Sequence, residues 1–355
     1  MPSVGIGETY MEERLTVNHG TIFDFLSFLG RNIEMGNQHA VHSFVEKFLK
    51  LFRRFQQFNP ISRSIKNVAH HYDLSDKLYQ LFLDKDLQYS CGYFVTPETD
   101  LDSAQDQKKR HIAAKLIIEP DNHILDIGSG WGGLGMFFAQ TFGARVTGVT
   151  LSESQLRISQ ERVKQNSLID KVSFQLRDYR TLIDTFDRIV SVGMFEHVGV
   201  SHYQQFFRKL DNLLSENGIA LLHTIGRNGP PSVTDPWLRK YIFPGGYIPA
   251  LSEIMPAIEG AGLSVTDIEF LGPHYAETLK HWRERFLANK EEIKRIYDER
   301  FVRMWEFYLA LSEIAFRYLE LTVFQIQITK KNGIVPITRD YITSMENEMD
   351  HLISS

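Results

Sequence analysis

Three glycines and one aspartate stand where they could hold a cofactor. Gly128, Gly130 and Gly133 follow an apolar run that begins at His123, and Asp126 stands two residues before the first glycine. Glycine lets the backbone turn sharply and approach a ligand at the start of the next helix. Dinucleotide-binding proteins and S-adenosylmethionine-dependent methyltransferases both use such a turn, so the glycines alone leave both classes open.

The position of the nearest acids favours the methyltransferase class. A nicotinamide enzyme needs a carboxylate at the end of the second strand, about 20 residues on, to hold a ribose hydroxyl. Here that strand ends at Thr150, and no carboxylate follows until Glu153. Methyltransferases instead keep an acid two residues before the first glycine, where it faces the cationic methionine end of the cofactor, and Asp126 fits that position.

A second polar group ends the third predicted strand. Arg177, Asp178 and Tyr179 occupy the edge that faces the adenine in methyltransferases, where an acid accepts from the amino group and an aromatic ring stacks. Asp178 equally fits the cap of a short helix.

These residues require a sheet that brings strand ends together. Short β-branched runs alternate with helical stretches from residue 123 onward, which is typical of a mostly parallel sheet flanked by helices. We predict helical sequence over most of residues 1–115, a loop at 228–249 and a helical insert at 275–319. Strands are predicted at 123–128, 144–150, 171–178, 186–193, 218–227, 263–271 and 321–330, and helices at 132–142, 153–166 and 202–214.

Seven strands, the last after a long helical insert, predict an α/β fold of the class I S-adenosylmethionine-dependent methyltransferase type, with a Rossmann-like, mostly parallel sheet. The predicted organisation has three parts. Residues 1–60 form an N-terminal helical segment like the end of a longer domain, 61–335 form the catalytic domain with a helical lid, and 336–355 form a C-terminal tail.

Composition limits the partners and the compartment. The formal net charge of −5 argues against nucleic acid as a partner. Cys91 is the only cysteine, which excludes an internal disulfide and suits a reducing compartment. The first residues lack the features of a signal peptide, and no apolar run approaches the roughly 18 residues of a membrane span. We therefore expect a cytoplasmic protein with peripheral contact to the inner face of the membrane, and we predict no metal site.

Several linked motifs resemble those of the cyclopropane-fatty-acyl-phospholipid synthases and mycolic acid cyclopropane synthases. The likeness covers roughly residues 65–330. The motifs, in order along the sequence, are HHYDLSDKLYQLFL, YSCGYF, LDIGSGWGG, GVTLSESQ, VGMFEHVG, LLHTIGR, YIFPGGYIP and GPHYAETL. The resemblance implies that a methylene group is transferred from S-adenosylmethionine to the cis double bond of an unsaturated acyl chain in membrane phospholipid.

The resemblance also implies two sets of site residues. The S-adenosylmethionine site would comprise Tyr72, Tyr89, Ser90, Asp126, Gly128, Gly130, Gly132, Thr150, Leu151, Gln155 and Tyr179. A bound bicarbonate ion would act as the base and would be held by Cys91, Glu196, His223, Ile225 and Tyr275. In this scheme the main-chain amides, the imidazole and the phenol donate to the anion, and Glu196 accepts its hydroxyl. Tyr- and Phe-rich segments at 89–94 and 241–247 would line the acyl chain or serve only the core.

Two questions of partner and product stay open at this stage. Residues 42–58 predict an amphipathic helix, which would lie on an anionic membrane surface or dock onto the protein. A homodimer is implied by the resemblance. Two functions are alternatives to a cyclopropane synthase: a C-methyltransferase that acts on acyl chains and makes methyl-branched lipid, or a non-catalytic paralogue that binds lipid or cofactor.

Overall fold

The computed structural model describes residues 2–35 and 74–354. Tyr72 and the amphipathic segment 42–58 lie outside these residues, so their predicted roles stay predictions.

The sheet has seven strands in the order β3-β2-β1-β4-β5-β7-β6. The first five pair in parallel, and β7 runs antiparallel to both of its neighbours. This is the predicted mostly parallel sheet of the class I methyltransferase fold. The strands are β1 His123–Ile127, β2 Arg145–Thr150, β3 Val172–Leu176, β4 Phe186–Val192, β5 Leu214–Arg227, β6 Ser264–Phe270 and β7 Leu321–Thr329.

Successive strands are added on one side of β1 up to β3 and on its other side from β4 onward, so the strand order reverses at β1. Strand β2 pairs with one edge of β1 and β4 pairs with the other, so the loops that leave β1 and β4 separate there. Such a switch point leaves a crevice at the carboxyl ends of the strands, and ligands bind there in open α/β sheets.

Helices flank the sheet, and several of them form a separate helical layer. Among the described residues the helices are α1 Pro2–Met11, α2 Ile22–Met35, α3 Asp76–Phe82, α4 Leu101–Leu116, α5 Gly133–Phe142, α6 Glu153–Gln165, α7 Tyr203–Leu213, α8 Pro236–Tyr241, α9 Leu251–Glu259, α10 Gly272–Ala288, α11 Lys290–Ile296, α12 Glu299–Tyr318 and α13 Asp340–Ser354. None of the helices in the described part of the protein is long and apolar enough to cross a membrane. The helical insert predicted at 275–319 consists of the three helices α10, α11 and α12. Helix α13 occupies most of the segment 336–355 that is predicted as a tail.

An aromatic core holds the helical layer together. Phe82 of α3 contacts the rings of Trp282 on α10 and Trp305 on α12, with ring centroids 6.1 and 6.0 Å apart. Burying such side chains contributes roughly 2–3 kcal/mol each. Tyr89 and Trp131 pack against this same cluster, so the helical layer reaches the loops at the strand ends.

The N-terminal helix docks onto the helical layer through polar contacts. The Tyr10 hydroxyl donates to the buried carboxylate of Glu306 on α12 at 2.9 Å, and Arg303 lies 4.0 Å from the Tyr10 ring centroid. Glu8 also accepts from Lys240 and Tyr241, at the C-terminal end of α8. Helix α1 thus fastens the segment after β5 to α12.

Candidate functional site

A cleft opens where the ends of β1, β2 and β4 meet, and we call it the cofactor cleft. It brings together most of the residues predicted to bind S-adenosylmethionine. Those in its wall are Tyr89, Ser90, Asp126, Gly128, Gly130, Thr150, Leu151, Gln155 and Tyr179. Gly132 is not in the wall, and Tyr72 lies outside the described residues.

The glycine turn has a backbone that only glycine adopts without strain. Gly128, Gly130 and Gly132 have φ values of 87°, 53° and 86°. A β-carbon on Gly132 would lie 2.6 Å from the Phe174 ring, so this glycine packs the start of α5 against β3. Gly132 therefore shapes the cleft through the fold, whereas Gly128 and Gly130 face it.

Asp126 supplies a buried acid at the base of the cleft. Its side chain is 2% exposed, and its Oδ2 atom has no hydrogen-bond partner among the described residues. Burial raises the pKa of this carboxyl group to about 7. An unpartnered buried carboxylate is costly, and a cation offsets that cost. The ammonium group of S-adenosylmethionine fits this requirement.

The wall formed by β2 and α6 is ordered by side-chain hydrogen bonds. The Thr150 hydroxyl donates to Gln155 Oε1 at 3.0 Å and accepts from the Ser152 amide at 3.1 Å. Ser152 in turn caps α6, because its hydroxyl accepts from the Gln155 amide. The three residues fix the turn at the end of β2 that lines the cleft.

Tyr179 lies at the far side of the cleft and begins a short 3₁₀ turn. Asp178 caps this turn, accepting from the Arg180 amide at 2.9 Å and from its guanidinium at 2.6 Å. The Tyr179 ring meets Phe206 edge-on, with centroids 5.5 Å apart. Of the two roles open to Asp178, the structure shows the cap.

Glu196 occupies a second polar site, next to the end of β5. The Ile225 amide donates to its Oε1 atom at 2.6 Å, whereas Oε2 is buried and has no hydrogen-bond partner among the described residues. Burial raises the pKa of Glu196 to about 7 against the opposing effect of the Ile225 amide. The Ile225 amide, predicted to donate to bicarbonate, donates here to Glu196.

His223 lies two residues before Ile225, on the same face of β5, and is 2% exposed. The Gln325 amide donates to its Nδ1 atom at 3.1 Å, which places the imidazole proton on Nε2. Burial lowers the pKa of His223 to about 3, so the ring is neutral near pH 7. A neutral imidazole with a proton on Nε2 is a hydrogen-bond donor and a poor base.

Cys91 and Tyr275 meet at Leu271, which precedes α10. The Cys91 thiol points to the Leu271 carbonyl oxygen at 3.8 Å, and the Tyr275 amide donates to the same oxygen at 3.2 Å. Leu271 donates to Val323 of β7, which pairs with Ile225 of β5. The five predicted bicarbonate ligands therefore cluster around the adjacent ends of β5, β7 and β6.

The thiol of Cys91 is protonated in this environment. It is 1% exposed, and burial raises its pKa well above the ordinary value. Reactive cysteines need the thiolate, so a covalent role for this thiol is disfavoured.

Aromatic side chains pack together beside the cofactor cleft, with Tyr89 in its wall. The hydroxyl groups of Tyr89 and Tyr308 are 2.8 Å apart, and Tyr89 stacks on Trp282 with centroids 5.1 Å apart. Phe243 meets Tyr308 edge-on at 5.7 Å. Tyr308 of α12 thus joins the two aromatic segments predicted at 89–94 and 241–247.

Three polar residues lie behind these sites and have no role in the prediction from the sequence. Gln325 orients His223 across the β5–β7 pair, and Gln105 and Lys108 of α4 hold the loop of residues 88–91. All three are at most 1% exposed. The helical spacing of Gln105, Lys108 and His111 was a usable signal for a buried polar face of α4, whereas nothing local marks Gln325.

Comparison with known proteins shows a likeness over most of the sequence. Residues 60–326 match the family model described as mycolic acid cyclopropane synthetase. The cyclopropane-fatty-acyl-phospholipid synthase of Escherichia coli K12 is 39% identical over 94% of this chain and 85% of its own length. A probable fatty acid methyltransferase of Pseudomonas putida is 40% identical over 74% of this chain and 68% of its own length.

A solved structure agrees with this likeness. Mycolic acid cyclopropane synthase CmaA1, complexed with S-adenosylhomocysteine and CTAB, superposes with a TM-score of 0.71 at 31% identity. The match covers 77% of this chain and 99% of that one.

Proposed function

Because the protein belongs to the mycolic acid cyclopropane synthetase family and is an S-adenosylmethionine-dependent methyltransferase, we propose that it builds a cyclopropane ring on an acyl chain of membrane phospholipid. The cis double bond of the lipid is the methyl acceptor, and bicarbonate is the base. The observation that carries the proposal is the half-bonded, buried carboxyl group of Glu196 beside a neutral His223.

The reaction needs one methyl donor and one proton acceptor. S-adenosylmethionine, when bound, supplies the methyl group and leaves as S-adenosylhomocysteine with the electron pair of the broken sulfur–carbon bond. The alkene π electrons form the new carbon–carbon bond, which leaves positive charge on the neighbouring acyl carbon. Ring closure requires the added methyl group to lose a proton, and bicarbonate would serve as the base. That bicarbonate would be held by Glu196, His223, Tyr275 and the Cys91 amide.

Residues in the wall of the cofactor cleft can orient the methyl donor. Asp126 faces the ammonium group, and the hydroxyl groups of Ser90 and Thr150 lie in the same wall. Fixing the donor in one orientation removes much of the entropy cost of a two-substrate reaction.

The aromatic residues suit a substrate that carries positive charge for part of the reaction. Tyr89, Trp282 and Tyr308 pack in one buried or partly buried cluster, and Tyr89 also lines the cofactor cleft. Ring faces attract a cation by roughly 0.5–2 kcal/mol each, and an apolar wall excludes water that would otherwise trap the cation.

The second polar site has donors and an acceptor for bicarbonate, but its imidazole is unsuited to remove the proton. His223, with a pKa of about 3, binds protons weakly and donates through Nε2. The Oε2 atom of Glu196, which has no hydrogen-bond partner among the described residues, would accept the hydroxyl of bicarbonate. Tyr275 and the Cys91 amide complete the proposed set of donors.

A phospholipid substrate requires that the enzyme meet a bilayer. We propose that it works in the cytoplasm as a homodimer bound peripherally to the anionic inner face of the membrane. The amphipathic pattern of residues 42–58 supports this proposal.

The test uses S-adenosylmethionine with a trideuterated methyl group and vesicles of cis-unsaturated phospholipid. A cyclopropane product gains one methylene, loses the double bond and keeps two deuterium atoms. The reaction should depend on added bicarbonate after carbon dioxide is removed from the buffers. Equal rates without bicarbonate would assign the base to the protein, with Glu196 as the candidate, and would refute that part of the proposal.

The same experiment decides between products. A product that keeps a double bond, with three deuterium atoms on a methyl branch or two on a methylene branch, would contradict the cyclopropane proposal. Binding of S-adenosylhomocysteine with no lipid product would favour another methyl acceptor or a non-catalytic paralogue.

A further inference from the structure

Lys108 is a buried cation directly behind the wall of the cofactor cleft. It is 1% exposed, and its Nζ atom donates to Gln88 Oε1 at 2.7 Å and to Ser90 Oγ at 2.8 Å. Both acceptors belong to residues that line the cleft. The proposed methyl transfer and proton removal assign no role to Lys108.

The partners of Lys108 differ from those of the other lysines on α4. Lys109 forms an ion pair with Asp86 at 3.1 Å, and Lys115 forms one with Glu269. The two acceptors of Lys108 are instead neutral oxygens, of an amide and a hydroxyl group. A buried charge is normally paired, so a cation that donates to neutral groups beside a cleft retains the capacity to attract an anion there.

The contact also fixes the direction of the Ser90 hydroxyl. An ammonium group has three donors and no acceptor, so Ser90 Oγ must accept from Lys108. The proton of the Ser90 hydroxyl is then directed away from Lys108. Gln105 holds the same loop, because its amide donates to the Ser90 carbonyl at 2.9 Å.

Gln88 is fixed by a similar series of hydrogen bonds. Its Oε1 accepts from Lys108, and its Nε2 donates to Asp86 Oδ2 at 3.0 Å. Asp86 is also paired with Arg162 and Lys109. The loop at residues 88–90 therefore has little freedom to reorient.

We propose that Lys108 is a positioning residue for the carboxylate of the amino-acid group of S-adenosylmethionine. It holds Ser90 as a donor toward that carboxylate and adds positive potential behind it. Asp126, in the wall of the same cleft, has an unpartnered Oδ2 atom and provides the opposite charge for the ammonium group. Lys108 behind the wall therefore complements the carboxylate of the zwitterionic amino-acid group, and Asp126 in the wall complements its ammonium group.

The electrostatic state of Lys108 is consistent with this role. Burial lowers its pKa to about 8, although Asp84 and Asp86 act in the opposite direction. Lys109 opposes protonation as well. Further groups that interact with this charge are the Cys91 thiol, Asp126 and His223. Lys108 is thus mostly protonated near neutral pH and loses its charge in mildly alkaline solution.

The test compares two ligands by calorimetry: S-adenosylhomocysteine and its decarboxylated analogue, which keeps the adenosine, the sulfur and the amino group. The wild-type protein should bind S-adenosylhomocysteine more tightly. Lys108→Met should reduce that preference on the order of 10–100-fold, the effect of losing a charge-assisted contact. Affinity for the decarboxylated analogue should change by less than about threefold.

Arg110→Met is the matched control, since it removes a neighbouring cation of α4 whose ion pair with Asp106 lies within the same helix and does not involve the loop of residues 88–90. It should leave the preference unchanged. Equal losses for both ligands in Lys108→Met would mean that Lys108 only supports the loop, and an unchanged preference would exclude any role. Either result overturns the proposal.

A pH series on the wild-type protein tests the proposal without any variant. Both ligands carry an amino group that meets the same Asp126, but the α-amino group of S-adenosylhomocysteine is less basic than the amine of the analogue, so their affinities are compared only up to about pH 8.5, where both amines are protonated. Within that range the preference for S-adenosylhomocysteine should fall as pH approaches and passes about 8, the pKa of Lys108. A ratio that stays constant from about pH 6.5 to 8.5, or no preference at any pH, would contradict the proposal even if Lys108→Met failed to fold. The inference depends on the cofactor and not on the lipid product.

Discussion

The carboxyl group of Glu196 has a pKa of about 7, so it titrates in the range where the enzyme is proposed to work. The ionised form is needed to accept the hydroxyl of bicarbonate. At constant bicarbonate concentration, kcat should therefore rise as pH increases through about 7. Asp126 has a similar pKa, but it faces the cofactor and should affect mainly kcat/KM for S-adenosylmethionine.

Glu196→Gln should abolish that rise and lower kcat on the order of 100-fold or more. Its affinity for S-adenosylhomocysteine should remain within about threefold of wild type, because Glu196 is not in the wall of the cofactor cleft. A variant that lost cofactor affinity in proportion to turnover would show that Glu196 serves the cofactor cleft instead.

The same substitution has a stability consequence with a definite sign. Burial raises the pKa of Glu196, so its contribution to stability is fully present at low pH and is lost as pH rises through about 7. Glu196→Gln should therefore have a higher free energy of unfolding than wild type at pH 8, and the difference should shrink at pH 5. Urea denaturation at the two pH values measures this.

Gln325 controls which nitrogen of His223 carries the proton. A glutamate at this position would accept from Nδ1, leaving Nε2 as an acceptor when the ring is neutral. Gln325→Glu should therefore lower kcat at pH 8 on the order of 10–100-fold, as the loss of an orienting partner does at other imidazoles. Nitrogen-15 NMR of His223 should show the proton on Nδ1. If Gln325→Glu carried the proton on Nδ1 and still turned over at the wild-type rate, a donor role for Nε2 would be excluded.

Single residues differ in how far the sequence could predict them. Asp126 and Glu196 lie in motifs, so the family resemblance marks them in advance. Gln325 and His223 are 102 positions apart and meet only because β5 and β7 pair. Lys108 lies in a hydrophilic stretch at helical spacing from other polar residues of α4, which indicates a buried polar face, but only the packing of α4 shows that it contacts the loop of residues 88–90.

Helix α5 begins after Gly132 and ends before Gly143, and both glycines have positive φ. Alanine at either position would cost about 1–2 kcal/mol for the left-handed backbone. At Gly132 a β-carbon also meets the Phe174 ring at 2.6 Å, whereas at Gly143 it meets nothing within 4 Å. Overpacking adds roughly 1–3 kcal/mol at Gly132.

Urea denaturation should therefore show a larger loss of unfolding free energy for Gly132→Ala than for Gly143→Ala, by roughly 1–3 kcal/mol. Only Gly132→Ala should also weaken the binding of S-adenosylhomocysteine, because it shifts the turn beside the cleft. Equal losses of stability would mean that Phe174 moves aside freely.

At the level of elements, the hydrophobic pattern predicted every strand of the sheet, with differences only at the ends. Strand β5 was predicted from residue 218 and begins at Leu214, because Leu214 pairs with Phe186 before a bulge shifts the register. Such pairing depends on the neighbouring strand and leaves no local signal. The helical insert at 275–319 was predicted as one stretch, and its breaks near Asn289 and Asp298 follow from helix caps.

Three distant parts of the sequence meet at His111 of α4. Its Nε2 and Nδ1 atoms each lie 2.6 Å from a carboxylate oxygen, one on Glu269 of β6 and one on Glu346 of α13. Glu269 also pairs with the buried Lys115. Although burial opposes it, hydrogen bonds and charges from His111 and Lys115 hold the pKa of Glu269 far below its ordinary value.

Glu269→Gln should lower the free energy of unfolding by about 3 kcal/mol at pH 7, because it leaves the buried Lys115 with only the more distant Asp267, at 3.5 Å, as an ion-pair partner. Glu346→Gln, which leaves that ion pair intact, should cost less. The lowered pKa of Glu269 means that its stabilisation is present above its unfolded pKa of about 4 and is lost only as pH falls through the folded value. The difference between wild type and Glu269→Gln should therefore persist at pH 5. Its disappearance there would indicate that the ion pair does not form.

Membrane binding by the whole protein can be tested through residues 42–58. Replacing Lys50, Arg53 and Arg54 with glutamine should weaken binding to anionic vesicles on the order of 100-fold, at about 1 kcal/mol per cation. Sedimentation with vesicles at low ionic strength measures the change. From the sequence alone, the amphipathic helix predicted at 42–58 has two possible locations: on an anionic membrane surface or docked onto the protein.

An equal change of charge elsewhere provides the control. Arg157, Lys294 and Arg339 have side chains that are 59%, 47% and 61% exposed. Their replacement with glutamine should leave vesicle binding almost unchanged. Similar losses in both triple variants would mean that net charge, and not this segment, governs the interaction.

The burial of Cys91 has a practical consequence for measuring motion in this enzyme. The sequence has no other cysteine, and this thiol is both inaccessible and protonated. A cysteine introduced at an exposed site can therefore be coupled to a fluorophore or spin label while the native thiol stays unmodified. A pair of such labels, one on α1 and one on the exposed face of α6, would report distance changes between the helical layer and the sheet during turnover in the otherwise native sequence.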